Sequence, residues 1–376
     1  MTPPFSVSNK VVELETLAAR PARAVAELRP YDAVAIRPET GPGAPEFFKL
    51  DWNEATVAPS PRVRDALIAH LTDGPGLNWY PALYDRELAG DLAPYTGVPA
   101  SNILVTAGSD EALRLLCDTF LDAGDVVAVP EPTYAHFVLF AKARGARIQS
   151  IVCDDPFRTH MDSLLEALAR RPRMLYLVNP NNPTGVTYTP GQIERLLRAA
   201  KGTVVIVDEA YIEFGGESVA SLVMRHANLV VTRTFSKAFG LASCRVGYLC
   251  AGADILDATR ILYNPKSVGT TALVAARAAL SDLDYLQWFV DEVRQARPIL
   301  ADWFRARGHE VFVGEGNFIV VRLPNVTAAV AQMKTADIFV RDRSTQPGLA
   351  GCFRVSIGTV AQTRSLISRL ETLDLV

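Results

Sequence analysis

From about residue 100 the chain repeats one theme: a short aliphatic run, a polar break, then apolar positions at helical spacing. ILVTAG is followed by SDEALRLLCDTFL, in which Ala112, Leu115, Leu116 and Phe120 fall on one helical face. DVVAVPEP precedes YAHFVLFAKARG, and ARIQSIVC precedes DSLLEALARR. RMLYLVN leads through a Pro/Asn/Gly loop to GQIERLLRAA, and TVVIVDEA, NLVVTRTF and RVGYLCA complete the set. Strands that are apolar throughout need cover on both faces. The pattern therefore predicts an α/β fold, a mostly parallel sheet sandwiched by helices.

After roughly residue 265 the texture changes. SVGTTALVAARAAL and LDYLQWFVDEVRQARPILADWFRARG have the spacing of long helices. HEVFVGEGNFIVVRLP, VTAAVAQMKTADIFVRDRS and CFRVSIG then alternate as a small α+β unit. The expected division is a large unit over 47–270 and a small unit over 271–376. Residues 1–46 are expected to pack on the small unit, which would then be built from both ends of the chain. No internal repeat or low-complexity segment stands out.

In a sheet of this kind the loops at the carboxyl ends of the strands gather at one crevice, where ligands bind. TAGSDE, PEPTY, NPNNPTG, DEAY and FSK each follow a strand candidate, so they are expected to converge.

Composition narrows the field. The 376 residues are 49% hydrophobic and 21% charged, the balance of an ordinary globular protein. A net charge of -3 provides no basic field for nucleic acid, and no apolar run reaches membrane-spanning length. A cofactor-sensing regulator fused to a DNA-binding module would need a basic helix-turn-helix, and the residues ahead of position 47 hold no basic cluster. The N-terminus shows no signal-peptide pattern, and the five cysteines lack metal or disulfide spacing. A reduced, cytoplasmic protein without a metal site is the expectation.

The candidate chemistry starts at Lys237, in RTFSKAFGLASCRVGY. A reactive lysine must lose its proton part of the time, and burial or nearby positive charge such as Arg245 promotes that. Asp208 closes an aliphatic run, so it is either a cap or a buried anion that needs a cationic partner. Tyr211 follows three residues on. NPNNPTG forces extended backbone before each proline, and Asn182–Pro183 is a candidate cis bond. Gly108, Ser109 and Asp110 open a helix whose free N–H groups suit a phosphate, unless Ser109 or Asp110 merely caps it.

Lysine, acid, ring-hydroxyl donors, an aromatic ring and an anion cradle together make a site for a phosphorylated pyridine aldehyde. The ordered motifs, from FFKLDWNEATVAPSP to FRVSIGT, resemble the fold-type I pyridoxal-phosphate enzymes of the class I/II aminotransferase group. Within it they are most similar to the histidinol-phosphate aminotransferases. The resemblance implies that Lys237 binds the aldehyde covalently and then moves a proton, and that Asp208 pairs with the ring nitrogen. It implies Asn182 and Tyr211 at the ring oxygen, and Tyr134 stacked on the ring. Ser236, Arg245 and the amides of Ser109 and Asp110 are implied at the phosphate. It also implies a homodimer in which Tyr80 of NWYP reaches the partner's cofactor phosphate. Asn53, Arg341 and Arg354 are implied at an amino-acid or amino-acid-derived anionic substrate.

Two departures stand out. The family's NENPYGPSP is here NEATVAPSP, with Ala55 and Thr56 in place of Asn-Pro, and LAGLR is here LASCR, with Ser243. The first borders the substrate. It leaves open a related chemistry in which the amino acid is eliminated or cyclised, oxidised or decarboxylated, for example a hydroxylated arginine in a natural-product pathway.

Overall fold

The aliphatic runs become the strands of a seven-stranded sheet, and the amphipathic stretches become the helices that cover it. The computed structural model describes residues 21–26, 28–29, 47–74, 76–81 and 86–373. The chain begins with a helical turn, α1 (Arg23–Ala26), then β1 (Phe48–Lys49), α2 (Pro61–Asp73) and α3 (Arg86–Thr96). The expectation for 1–46 lies largely outside the described residues. Within it, Ala24 lies near Gly145, at the end of helix 135–143.

The central unit then runs β2 (Ile103–Thr106), α4 (Gly108–Phe120), β3 (Val126–Glu131), α5 (Ala135–Ala143), β4 (Arg147–Val152) and α6 (Met161–Ala169). It continues with β5 (Met174–Val178), α7 (Pro190–Ala199), β6 (Val204–Asp208), β7 (Leu229–Thr234) and β8 (Gly247–Ala251). The strand order is β2-β8-β7-β6-β5-β3-β4. Pairing is parallel except at β8, which runs against both β7 and β2. Alternate residues feed two cores. Leu175, Leu177, Val205 and Val207 face one, and Met174, Tyr176, Ile206 and Val230 face the other. That is the period-2 consequence of covering a sheet on both sides.

Beyond α8 (Ala253–Arg260) and α9 (Thr270–Leu280), the 23-residue α10 (Leu283–Arg305) leads into a second sheet. Its members are β9 (Glu310–Phe312), β10 (Phe318–Arg322), β12 (Arg341–Asp342) and β13 (Cys352–Ser356), all antiparallel in the order β12-β13-β10-β9. It is accompanied by α11 (Val326–Thr335) and α12 (Val360–Leu370). β1 pairs in parallel with β11 (Ile338–Phe339), so the segment ahead of α2 is stitched to a strand beside the second sheet.

A second seam, at two glycines, joins the loop after β5 to the second sheet. Gly185, at φ 73°, ends NNPTG and packs on Gly314 so tightly that a Cβ on Gly185 would lie 2.7 Å from the Gly314 Cα. Glu315 N–H donates to the Gly185 carbonyl at 2.8 Å. Glu131–Pro132, Asn179–Pro180 and Asn182–Pro183 are cis peptides.

Candidate active site

The polar breaks do converge at the carboxyl ends of the parallel strands. β7 ends at Thr234, and a buried turn carries Ser236 and Lys237 into the crevice. The Lys237 ammonium donates to the Trp52 main-chain carbonyl at 2.9 Å and lies 5.8 Å from the centre of the Tyr211 ring. Burial, then the Arg354 charge, lowers its pKa from 10.5 to about 8. A good share of the amine is thus neutral near physiological pH.

Asp208 terminates β6 at the bottom of the crevice. Its Oδ2 accepts from the Tyr176 hydroxyl at 2.9 Å, while Oδ1 is buried without a hydrogen-bond partner of ordinary geometry. Burial raises its pKa to about 6, against the opposing hydrogen bond from Tyr176. A buried carboxylate oxygen left open in this way is costly unless a donor occupies it.

Two amides meet at the Tyr211 phenol oxygen: Asn182 Nδ2 at 3.0 Å and Asn53 Nδ2 at 3.1 Å. With two donors already on its oxygen, the phenol still has its own proton to give. Asn53 holds its place in the left-handed region at φ 53°, a conformation asparagine tolerates better than most residues. Its main-chain N–H donates to Ser356 Oγ at 3.1 Å, and Asn317 Nδ2 donates to its carbonyl at 3.1 Å. Arg354, buried on β13, donates to Asn182 Oδ1 at 2.6 Å and to the Asp51 carbonyl. Arg341 on β12 stands opposite Arg354 in register.

A third cluster forms an anion cradle. α4 begins at Gly108 with no side-chain cap on its first turn, so the alternative in which Ser109 or Asp110 caps it does not hold. Arg245, at φ 51°, places Nη1 3.4 Å from Ser236 Oγ and Nη2 3.1 Å from Asp110 Oδ2. The Asp110 carboxylate also accepts from the Tyr134 hydroxyl at 2.8 Å. Asp110 can therefore offer an anion its backbone N–H, while its side chain holds Arg245 and Tyr134. Tyr80 stands apart, 79% exposed, with the Lys266 ammonium 4.7 Å from its ring centre.

Reading the residues alone passed over three participants. Trp52 contributes only a carbonyl, which leaves no mark on residue type. Tyr176 carries a hydroxyl in the aliphatic run MLYLV, which must find a partner when buried, and that signal was available. Arg343 makes its charge felt at Tyr211, but nothing in VRDRS separates it from Arg341.

The parts fit pyridoxal phosphate. The open Asp208 Oδ1 suits a protonated ring nitrogen, the uncapped helix start with Ser236 and Arg245 suits a phosphate, and Lys237 suits an aldehyde. Comparison with known proteins agrees. Residues 45–370 match the model for aminotransferase class I and II, and the chain belongs to that family. It is a pyridoxal-phosphate-dependent aminotransferase.

Among its relatives, a dihydroxyacetone phosphate transaminase of Campylobacter jejuni is 37% identical over 86% of this chain and 89% of that protein. A histidinol-phosphate aminotransferase of Ruminiclostridium cellulolyticum is 32% identical over 87% of this chain and 92% of that protein. The fold also matches the crystal structure of histidinol-phosphate aminotransferase from Sinorhizobium meliloti in complex with pyridoxal-5'-phosphate. That match has a TM-score of 0.82 and 24% identity, and covers 96% of this chain and all 100% of the other. Among the described residues, no helix is long and apolar enough to cross a membrane, and no group of side chains could hold a metal ion.

Proposed function

We propose that this enzyme transfers the amino group of a small anionic amine, an amino acid or an amino-acid-derived phosphate of the histidinol-phosphate kind. One observation carries the reading: a buried guanidinium, Arg354, bonds Asn182 and lies near enough to Lys237 to depress its pKa. That places a fixed positive charge beside the reacting amine, where an anionic group of the substrate can be gripped. The two relatives named above carry phosphorylated compounds in their names, which supports a phosphate as the anion.

In this reading Lys237, Asp208, Asn182, Tyr211, Tyr134, Ser236, Arg245 and the N–H groups of Ser109 and Asp110 hold the cofactor. When bound, the cofactor supplies an electron-poor ring that accepts the electron pair left as a proton departs from the substrate's α-carbon. Lys237 Nζ, poised near neutrality, takes that proton as a general base. Asp208 keeps a negative charge at the ring nitrogen, and Arg354, with Arg341 and Asn53 nearby, orients the substrate. Ala55, Thr56 and Ser243 line a cavity of about 490 Å³ between β1, the 54–56 loop, the 240–243 turn and α12. The departures from the family pattern therefore fall in one place, a cavity that none of the residues assigned above to the cofactor or the substrate lines.

We also propose a cytoplasmic homodimer. The support is the exposed apolar stretch Leu77, Trp79 and Tyr80, which are 64%, 71% and 79% accessible in the single chain.

The test is a half-reaction. The holoenzyme is mixed, without any oxo acid, with histidinol phosphate, glutamate, aromatic amino acids, arginine or hydroxyarginine, and products are read by mass. Conversion of the cofactor to its amine form by an anionic donor is expected. Loss of water or carbon dioxide, or ring closure, with the cofactor still an aldehyde would overturn the assignment.

A further inference from the structure

Tyr176 is the polar residue that the fold explains least. It lies in the middle of β5 within an aliphatic run, fully buried. A phenylalanine would fill nearly the same space without a hydroxyl to satisfy. The hydroxyl donates instead to Asp208 Oδ2 at 2.9 Å. Tyr176 pairs in register with Ile206, two positions before Asp208, so phenol and carboxylate leave the same face of the sheet as diagonal neighbours. The phenol ring is also clamped. Phe137, from α5, stacks on it with centroids 3.9 Å apart and planes 18° from parallel.

This clamp has a chemical consequence. A carboxylate buried between two strands can turn about its last bond, and whichever oxygen lacks a donor pays for its burial. Here one oxygen is taken by a phenol stacked against Phe137, and the other has no hydrogen-bond partner of ordinary geometry. We propose that Tyr176 is a positioning residue for the reaction, which fixes the rotation of the Asp208 carboxylate, keeps it ionised and reserves Oδ1 for the cofactor's ring nitrogen. The proposal rests on reading Asp208 as the partner of that nitrogen.

The electrostatic surroundings agree. Burial is the largest influence on Asp208 and favours the protonated acid, as does Asp110 from α4. Tyr176 provides the largest opposing contribution, followed by Thr232 on β7 and the Ala210 N–H. Removing the phenol takes away the largest of these opposing contributions, and the influence of burial grows.

The experiment reads Asp208 directly. Its carboxyl titration is followed by difference infrared spectroscopy in cofactor-free protein, with D208N as the blank, for wild type, Y176F and protein carrying 3-fluorotyrosine at 176. The midpoint is expected to rise by about one pH unit or more in Y176F. It should fall with fluorotyrosine, a stronger donor of nearly the same size. In the holoenzyme, Y176F should lower kcat about ten- to a hundred-fold at unchanged KM and displace the pH profile of the visible band. If Y176F does not fold, the fluorotyrosine protein decides alone. An Asp208 midpoint that moves in neither variant overturns the proposal. Because this readout needs neither cofactor nor substrate, it is distinct from a failure of the transamination reading, which would leave the midpoint dependent on Tyr176.

Discussion

Arg354, on β13 of the second sheet, and Asn182, in the loop that follows β5, are 172 positions apart, yet a 2.6 Å hydrogen bond joins guanidinium to amide. The same amide donates from its other end to Tyr211. The group proposed to grip the substrate is therefore mechanically continuous with the groups proposed to grip the cofactor's ring oxygen.

Replacing Arg354 by alanine removes the anion's partner. An increase in KM for an anionic amino donor of about ten- to a hundred-fold is expected, the range for a charge-assisted hydrogen bond. Cofactor content should stay near wild type. Steady-state kinetics beside an absorbance measure of bound cofactor checks both, and an unmoved KM would take Arg354 out of the substrate pocket.

Lys237 gives a pH prediction. Its amine is neutral above about pH 8 in the cofactor-free protein, so the rate of covalent uptake of pyridoxal phosphate should rise with pH and level off beyond that point. Arg354 is the second cause of the lowered value, after burial, so R354A should move the midpoint upward. Stopped-flow absorbance measures this. A midpoint above 10 in wild type would contradict the desolvated placement of the amine.

Asp208 couples function to stability. Its folded pKa, about 6, lies above the ordinary carboxyl value of 3.8, so in that interval the native state binds more protons than the unfolded state. Its contribution to stability is greatest in acid and is lost as pH rises through 6. Cofactor-free D208N should therefore melt higher than wild type at pH 8, by about 2 °C or more, and match it at pH 4. Holo D208N should transfer amino groups at least about a hundred-fold more slowly. Calorimetry at two pH values, with rate measurements, tests the trade.

The anion cradle depends on a glycine. Gly108 sits at φ 79°, and a Cβ there would meet Arg245 Nη2 at 2.7 Å. G108A should displace the guanidinium and weaken cofactor binding about tenfold, through strain in the left-handed region and loss of the phosphate contact. Equilibrium titration with pyridoxal phosphate measures it, and wild-type affinity would mean that the phosphate lies elsewhere.

The exposed stretch Leu77–Tyr80 tests the assembly. W79D should shift a dimer toward monomer in sedimentation experiments, and Y80A should weaken cofactor binding about tenfold while leaving the dimer intact. Wild-type protein that sediments as a monomer at micromolar concentration would remove the proposal.

Much of this could be anticipated from pattern. Every aliphatic run named between residues 103 and 251 is a strand, and the polar breaks after them meet in the crevice. Lys237, Asp208, Asn182 and Tyr211 stand at or shortly after strand ends, and their roles follow from the resemblance of the motifs that carry them. What escaped depends on pairing across the sheet rather than on spacing along it. The Tyr176–Asp208 bond arises from a register that a single strand does not encode. The Lys237–Trp52 contact uses a carbonyl common to all residues. The reversed direction of β8 likewise reflects tertiary pairing, since a buried strand reads the same in either direction.

The glycine pair at this seam constrains how the protein can be altered. Gly185 belongs to the loop that carries Asn182, and Gly314 lies between β9 and β10 of the second sheet, with no room for a methyl group between the two glycines. A chimaera that borrows its C-terminal portion from a relative must bring a glycine to position 314, or it will pry Asn182 from Tyr211 while leaving every residue proposed to hold the cofactor unchanged.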